Sequence, residues 1–211
     1  MRQDLTDITL VVDRSGSMAA CQGDAEGGIN ALVKEQAAQD GAAVLTLVQF
    51  DTQYEFVHTA MPIKDVPAYK LHPRGLTALL DAVGQAINQA GERFEKMDEK
   101  DRPGLVVFAI VTDGRENASL EFTLDQIKGM IDRQKGDFQW KFMFLGADAS
   151  AFAQAGGMGI DAVSTSVYDA AKHAGTAYQA TSQTMSLMRG QTASGDEVSA
   201  AFSDEQRKAM R

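Results

Sequence analysis

The chain has 211 residues, 44% of them hydrophobic, and a formal net charge of −9. That length sustains one sizeable core rather than two full domains. The acidic balance, with no Lys/Arg run, argues against nucleic acid and anionic membrane surfaces as partners. The lone cysteine, Cys21, excludes an internal disulfide and suits a reducing compartment.

In chain order, Met1 to Asp7 is polar, without the apolar stretch of a secretory leader. No apolar run reaches the ~18–20 residues of a membrane helix, so a soluble cytoplasmic protein is expected. Ile8–Val12 reads as a buried strand. Ile29, Leu32 and Val33 place a helix over about Asp24–Gln39, which Gly41 ends. Ala43–Phe50 and Tyr54–Thr59 read as strands joined in a hairpin by Asp51-Thr52-Gln53. Pro62, Pro67 and Pro73 punctuate an irregular passage to Gly75. Thr77 is then expected to cap a helix whose buried face carries Leu79, Leu80, Val83, Ala86, Ile87 and Ala90.

Leu105–Val111 is the most apolar run and suits a central parallel strand. A helix over Leu124–Gln134, a strand over Trp140–Leu145 and a short helix over Ala149–Ala155 follow. Ala162–Ser164 is expected to be a short edge strand, and Tyr168–Arg189 the last long helix. Met185 and Met188 on it are read as core, as is Cys21. Residues 190–211 form a weakly patterned tail, partly helical where Ser203-Asp204-Glu205-Gln206 could cap a final turn. The alternation predicts a three-layer α/β/α, Rossmann-like domain over residues 1–189, with a mainly parallel sheet and one antiparallel edge strand.

The segment that carries chemistry is Asp13-Arg14-Ser15-Gly16-Ser17, just past the first strand. One carboxylate and two hydroxyls at alternate positions make an all-oxygen cluster, which hard divalent cations prefer. Open α/β sheets place ligands beyond the carboxyl ends of their strands, where strand order reverses. Asp113 lies past the Leu105–Val111 strand, and Thr77 sits at a loop-to-helix junction. These residues converge if the two strands are neighbours. Taken singly, each has a plainer reading: a turn cap for Asp13, a helix cap for Thr77, a turn for Asp113-Gly114.

Asp13-x-Ser15-x-Ser17, Thr77 in Gly75-Leu76-Thr77-Ala78-Leu79, and Asp113 in Val111-Thr112-Asp113-Gly114 resemble, in order, the metal-ion-dependent adhesion site of von Willebrand factor A domains. Phe50-Asp51 is similar to that family's second strand end. The resemblance covers roughly residues 5–165. Phe144-Leu145-Gly146-Ala147-Asp148 with Gly159-Ile160 resembles an intracellular bacterial and bacteriophage subgroup. The resemblance implies that Asp13, Ser15, Ser17, Thr77 and Asp113 hold Mg²⁺, with Mn²⁺ or Ca²⁺ as alternatives. It also implies that an Asp or Glu of another protein fills an open position on the metal, with no bond broken.

Arg14 and Met18 are expected to be exposed at the binding face. Glu116 and Asn117 either tune the site or cap the following helix. His58, His72 and His173 are isolated, without zinc-ligand spacing. Two further readings stand beside partner binding. One is a structural or assembly subunit beside an AAA+ ATPase or in a phage complex, with metal only stabilising the loops. The ATPase would be a separate chain, since no Gly-x-x-x-x-Gly-Lys-Ser/Thr loop occurs. The other is a Mg²⁺-dependent phosphatase. It is disfavoured because Ser15 stands where haloacid-dehalogenase-like enzymes carry a second Asp as general acid, and an enzyme is not expected.

Overall fold

The computed structural model describes all residues, Met1–Arg211. Its sheet has six strands in the order β3-β2-β1-β4-β5-β6. These are β1 (Arg2–Asp13), β2 (Ala42–Phe50), β3 (Tyr54–Pro62), β4 (Pro103–Thr112), β5 (Lys141–Gly146) and β6 (Thr165–Val167). Every pairing is parallel except β2 with β3, the hairpin at one edge. β4 is buried along almost all its length, as expected of a central strand covered on both faces.

Six helices cover the two faces: α1 (Gln22–Ala37), α2 (Leu79–Glu95), α3 (Leu124–Phe138), α4 (Ala151–Gly157), α5 (Ala170–Ser194) and α6 (Asp204–Ala209). Period-two alternation in the strands feeds two cores. Ile8, Leu10 and Val12 pack with Ile29 and Leu32 of α1 and with Tyr178 and Met185 of α5. Val11, Phe108 and Ile110 pack on the other face with Val83 and Ile87 of α2 and Ile127 and Ile131 of α3. No helix is long and apolar enough to cross a membrane.

The α/β/α layering, the mainly parallel sheet and the antiparallel edge hairpin match expectation. Three local readings need correction. β1 begins at Arg2, because its polar N-terminal residues pair with the start of β4 through a register shift. Ala162–Ser164 is a 3-10 turn, and the edge strand is Thr165–Val167. The turn is held off the sheet by Ser164 N–H and the Thr165 hydroxyl, which both donate to the Asp161 carbonyl. The last long helix runs on to Ser194, where Gly195 in the left-handed region ends it. Beyond it, Phe202 and Met210 are buried in the same core as Tyr178. Ser203 and Gln206 form the capping box that starts α6.

β1 is flanked by β2 on one side and β4 on the other, so strand order, though not strand direction, reverses between β1 and β4. Their carboxyl ends lie side by side, with Val12 opposite Val111. This juxtaposition builds the site.

Candidate metal centre

Asp13 is the last residue of β1 and is fully buried. Its Oδ1 accepts the Ser15 N–H at 2.7 Å, which bends the chain sharply out of the strand. Its Oδ2 accepts the hydroxyl of Thr112, the last residue of β4, at 2.5 Å. Ser15 and Ser17 hydroxyl oxygens lie 3.0 Å apart. Ser17 then donates to Asp113 Oδ1 at 2.6 Å. A Cβ on Gly114 would stand 3.1 Å from Thr77 Oγ1 and 3.8 Å from Asp13 Oδ2. The Thr77 hydroxyl and the Asp13 carboxylate therefore both abut the third loop. Gly16 N–H donates to the Gly75 carbonyl at 3.2 Å, joining the first loop to the second. All five expected residues come together at the reversal point between β1 and β4.

The electrostatics of this cluster follow from its packing. Burial holds the Asp13 carboxyl above its ordinary pKa against the Thr112 and Ser15 hydrogen bonds, and the charge of Asp113 adds to the rise. Burial likewise raises Asp113, against the Ser17 hydrogen bond. Asp13, Ser15 and Thr77 are shielded, whereas Ser17 is exposed, so the cluster opens to solvent on one side. Nowhere do three or more His, Cys, Asp or Glu side chains converge as a metal-ligand group. The cluster is thus lightly charged: two carboxylates and three hydroxyls, all oxygen. That donor set fits a small hard divalent cation and does not fit a soft one.

Several assignments change. Thr77 does not cap α2. The N-cap is Ala78, with no side-chain bond, and the Thr77 hydroxyl turns towards Gly114. The orphan amides of α2 are met from the loop after β4: Glu116 Oε2 accepts Leu80 N–H at 2.9 Å, and Ser119 Oγ accepts Asp81 N–H at 3.1 Å. Glu116 therefore caps the helix before it in sequence, while α3 has its own capping box of Thr123 and Gln126. Asn117 Oδ1 accepts Thr77 N–H at 2.9 Å, and Asn117 N–H returns to the Thr77 carbonyl at 3.0 Å. That reciprocal clamp sets the position of Thr77.

Arg14 and Met18 are buried, not displayed. Met18 faces the core. The Arg14 guanidinium donates to Asp51 Oδ2 at 2.8 Å and Glu55 Oε2 at 3.1 Å. Arg74 reaches the same Asp51 oxygen at 2.7 Å. Asp51 is thus the hub that ties the hairpin to the first two loops. Thr112, unremarked in the sequence, carried one signal: a hydroxyl residue closing an otherwise apolar strand.

No protein-family model matches the sequence, and no curated protein matches it. Solved structures do resemble it. The manganese-loaded TRAP protein of Plasmodium vivax superposes with a TM-score of 0.57 at 15% identity, over 82% of this chain and 72% of that one. Proximal thread matrix protein 1 of the mussel byssus, with a zinc-occupied MIDAS motif, gives 0.59 at 13% identity, over 82% and 46%. The von Willebrand factor type A structure from Catenulispora acidiphila gives 0.54 at 14% identity, over 89% and 42%. The chain spans less than half the length of the latter two proteins. At such identities the likeness establishes the fold, which is of the von Willebrand factor A type.

Proposed function

We propose that this chain is a metal-dependent protein-interaction module that engages a carboxylate of its partner and breaks no bond. The observation that carries this reading is the convergence of Asp13, Ser15, Ser17, Thr77 and Asp113 where strand order reverses. Asp13 and Asp113 would supply charge to a Mg²⁺ or Mn²⁺ ion, and the three hydroxyls would supply neutral oxygens. A bound divalent cation would provide an electropositive point for an incoming Asp or Glu. Few anionic ligands leave such an ion under-neutralised, which favours that carboxylate. The manganese-loaded TRAP protein and the zinc-occupied MIDAS motif of proximal thread matrix protein 1 support a divalent ion in a chain of this fold.

The chain's own residues prepare the contact. The Asn117 clamp presents Thr77, and the Thr112 hydroxyl and Ser15 amide fix the Asp13 carboxylate. Arg115, 71% exposed and only loosely paired with Asp148 at 3.8 Å, adds local positive charge beside the Asp113 loop. Arg14 cannot contribute, since Asp51 and Glu55 hold it.

Selection from a displayed random-peptide library in Mg²⁺, with elution by chelator, tests this reading. Enriched sequences sharing an Asp or Glu, and lost with Asp113→Ala, are expected. Binders held equally well in chelator would contradict it. A metal-raised melting temperature with no chelator-sensitive binder would favour the loop-stabilising role instead.

A further inference from the structure

Of the chain's four tyrosines, Tyr69, Tyr168 and Tyr178 lie in the core on the α1/α5 face of the sheet. A phenol hydroxyl without a partner in the interior costs free energy that Phe would avoid. Tyr69 has its partner: the hydroxyl donates to Gln49 Oε1 at 2.8 Å. Tyr54, on the other face, donates to Glu121 at 3.4 Å. Tyr168 and Tyr178 are each 1% exposed, and neither hydroxyl has a hydrogen-bond partner.

These two are also the tyrosines beside the metal cluster. Tyr168 directly follows β6, at the carboxyl edge of the sheet. Its N–H donates to the Gly146 carbonyl at 3.0 Å, and Gly146 pairs with Thr112, whose hydroxyl holds Asp13. Two strand spacings, ~10 Å, therefore separate the Tyr168 backbone from the end of β4. Its side chain enters the core that also contains Met18, Cys21 and Val111. Tyr178 comes from α5, and its ring lies against Gly28 of α1, the helix that leaves the first metal loop. Burial pushes both phenols far above their ordinary pKa, and the charges of Asp13 and Asp113 add to the rise in each. The charges acting on Tyr69 are instead those of Arg14, Glu26 and Glu55. So the unpartnered hydroxyls, and not the partnered one, share the interior with the carboxylates of the cluster.

We propose that Tyr168 and Tyr178 are positioning residues of the metal centre, whose hydroxyls donate through buried water to the inner side of the Asp13 and Asp113 carboxylates. This inference rests on the ion site proposed above. Asp13 already accepts from Ser15 and Thr112, and Asp113 Oδ1 from Ser17. A cation draws on these same oxygens and on the Ser17 hydroxyl, so the carboxylates then need donors from behind to stay oriented. Outer partners of this kind set metal affinity. Water between two phenols and two carboxylates has the several polar partners that a buried water requires.

The test compares Tyr168→Phe, Tyr178→Phe and Tyr69→Phe in the full chain. It reads Mg²⁺ and Mn²⁺ affinity by calorimetric titration and thermal unfolding in chelator. Tyr168→Phe and Tyr178→Phe should each weaken ion binding about two- to tenfold, the worth of one net hydrogen bond, and should lose no stability in chelator. Tyr69→Phe should do the reverse, lowering the melting temperature with ion affinity unchanged, because it breaks the Gln49 bond. A lower melting temperature in chelator for either Tyr168→Phe or Tyr178→Phe would overturn the proposal. So would an unchanged affinity in either variant where the wild type binds, and the ion site itself would then stand. A wild type that takes up neither ion would overturn both readings.

Discussion

Thr77 shows how a single side chain is claimed by its surroundings. A threonine just before a helix has a strong local preference to cap it. Here Glu116 and Ser119 reach across from another loop and satisfy the amides first. The hydroxyl is thereby left beside Gly114, next to which the Asp13 carboxylate also lies. Thr77→Ala should therefore weaken divalent-ion affinity while leaving the melting temperature nearly unchanged, read by calorimetric titration alongside thermal unfolding. A loss of about 1 kcal/mol of stability with unaltered ion binding would restore the capping role. The five oxygen donors were legible because each is a polar residue at a strand or helix end. Arg14 and Met18 were misread because loop position alone suggests exposure. Their burial depends on Asp51, thirty-seven residues from Arg14, and on the core beneath.

At the scale of elements, two contacts set how the pieces meet. α1 and α5 cross at Gly28, where a Cβ would stand 2.8 Å from Tyr178 Cδ2 and 3.1 Å from the Gly175 Cα. The adjacent Gly27 meets nothing within 4 Å. The same substitution at neighbouring positions should therefore have opposite signs. Gly27→Ala should stabilise by about 0.5–1 kcal/mol through helix propensity. Gly28→Ala should destabilise, since overpacking costs ~1–3 kcal/mol against that gain. Denaturant titration of the pair checks this, and two shifts of the same sign would refute the tight crossing. The helical period in the sequence marks both glycines as helical, but only the partner helix tells them apart.

The second contact is the Asp51 hub. Burial alone would raise its pKa, but the Arg74 hydrogen bond, the Gln53 amide and the charge of Arg14 together hold it below the ordinary value. A carboxyl lowered in the folded state contributes stability above its unfolded pKa of ~3.9 and loses it as pH falls through the lower folded value. Wild-type protein should thus be more stable than Asp51→Asn at neutral pH, with the gap closing below about pH 4. A gap independent of pH would show that the Arg pairs contribute nothing.

For the whole molecule, the layer order and the antiparallel edge were readable from alternating apolar runs and helical periods. The neighbouring of β1 and β4 was not, because strand order is settled by which crossovers bury both faces. That adjacency turns five scattered residues into one cluster.

The central claim is that the cluster at the β1/β4 reversal holds a divalent cation. Calorimetric titration of chelator-stripped protein with Mg²⁺ and Mn²⁺, beside Asp13→Ala and Asp113→Ala variants confirmed as folded, tests it most directly. Saturable binding at one site in the wild type, lost in both variants, is the predicted result. Binding that survives in both variants, or a wild type that takes up neither ion, would contradict the account.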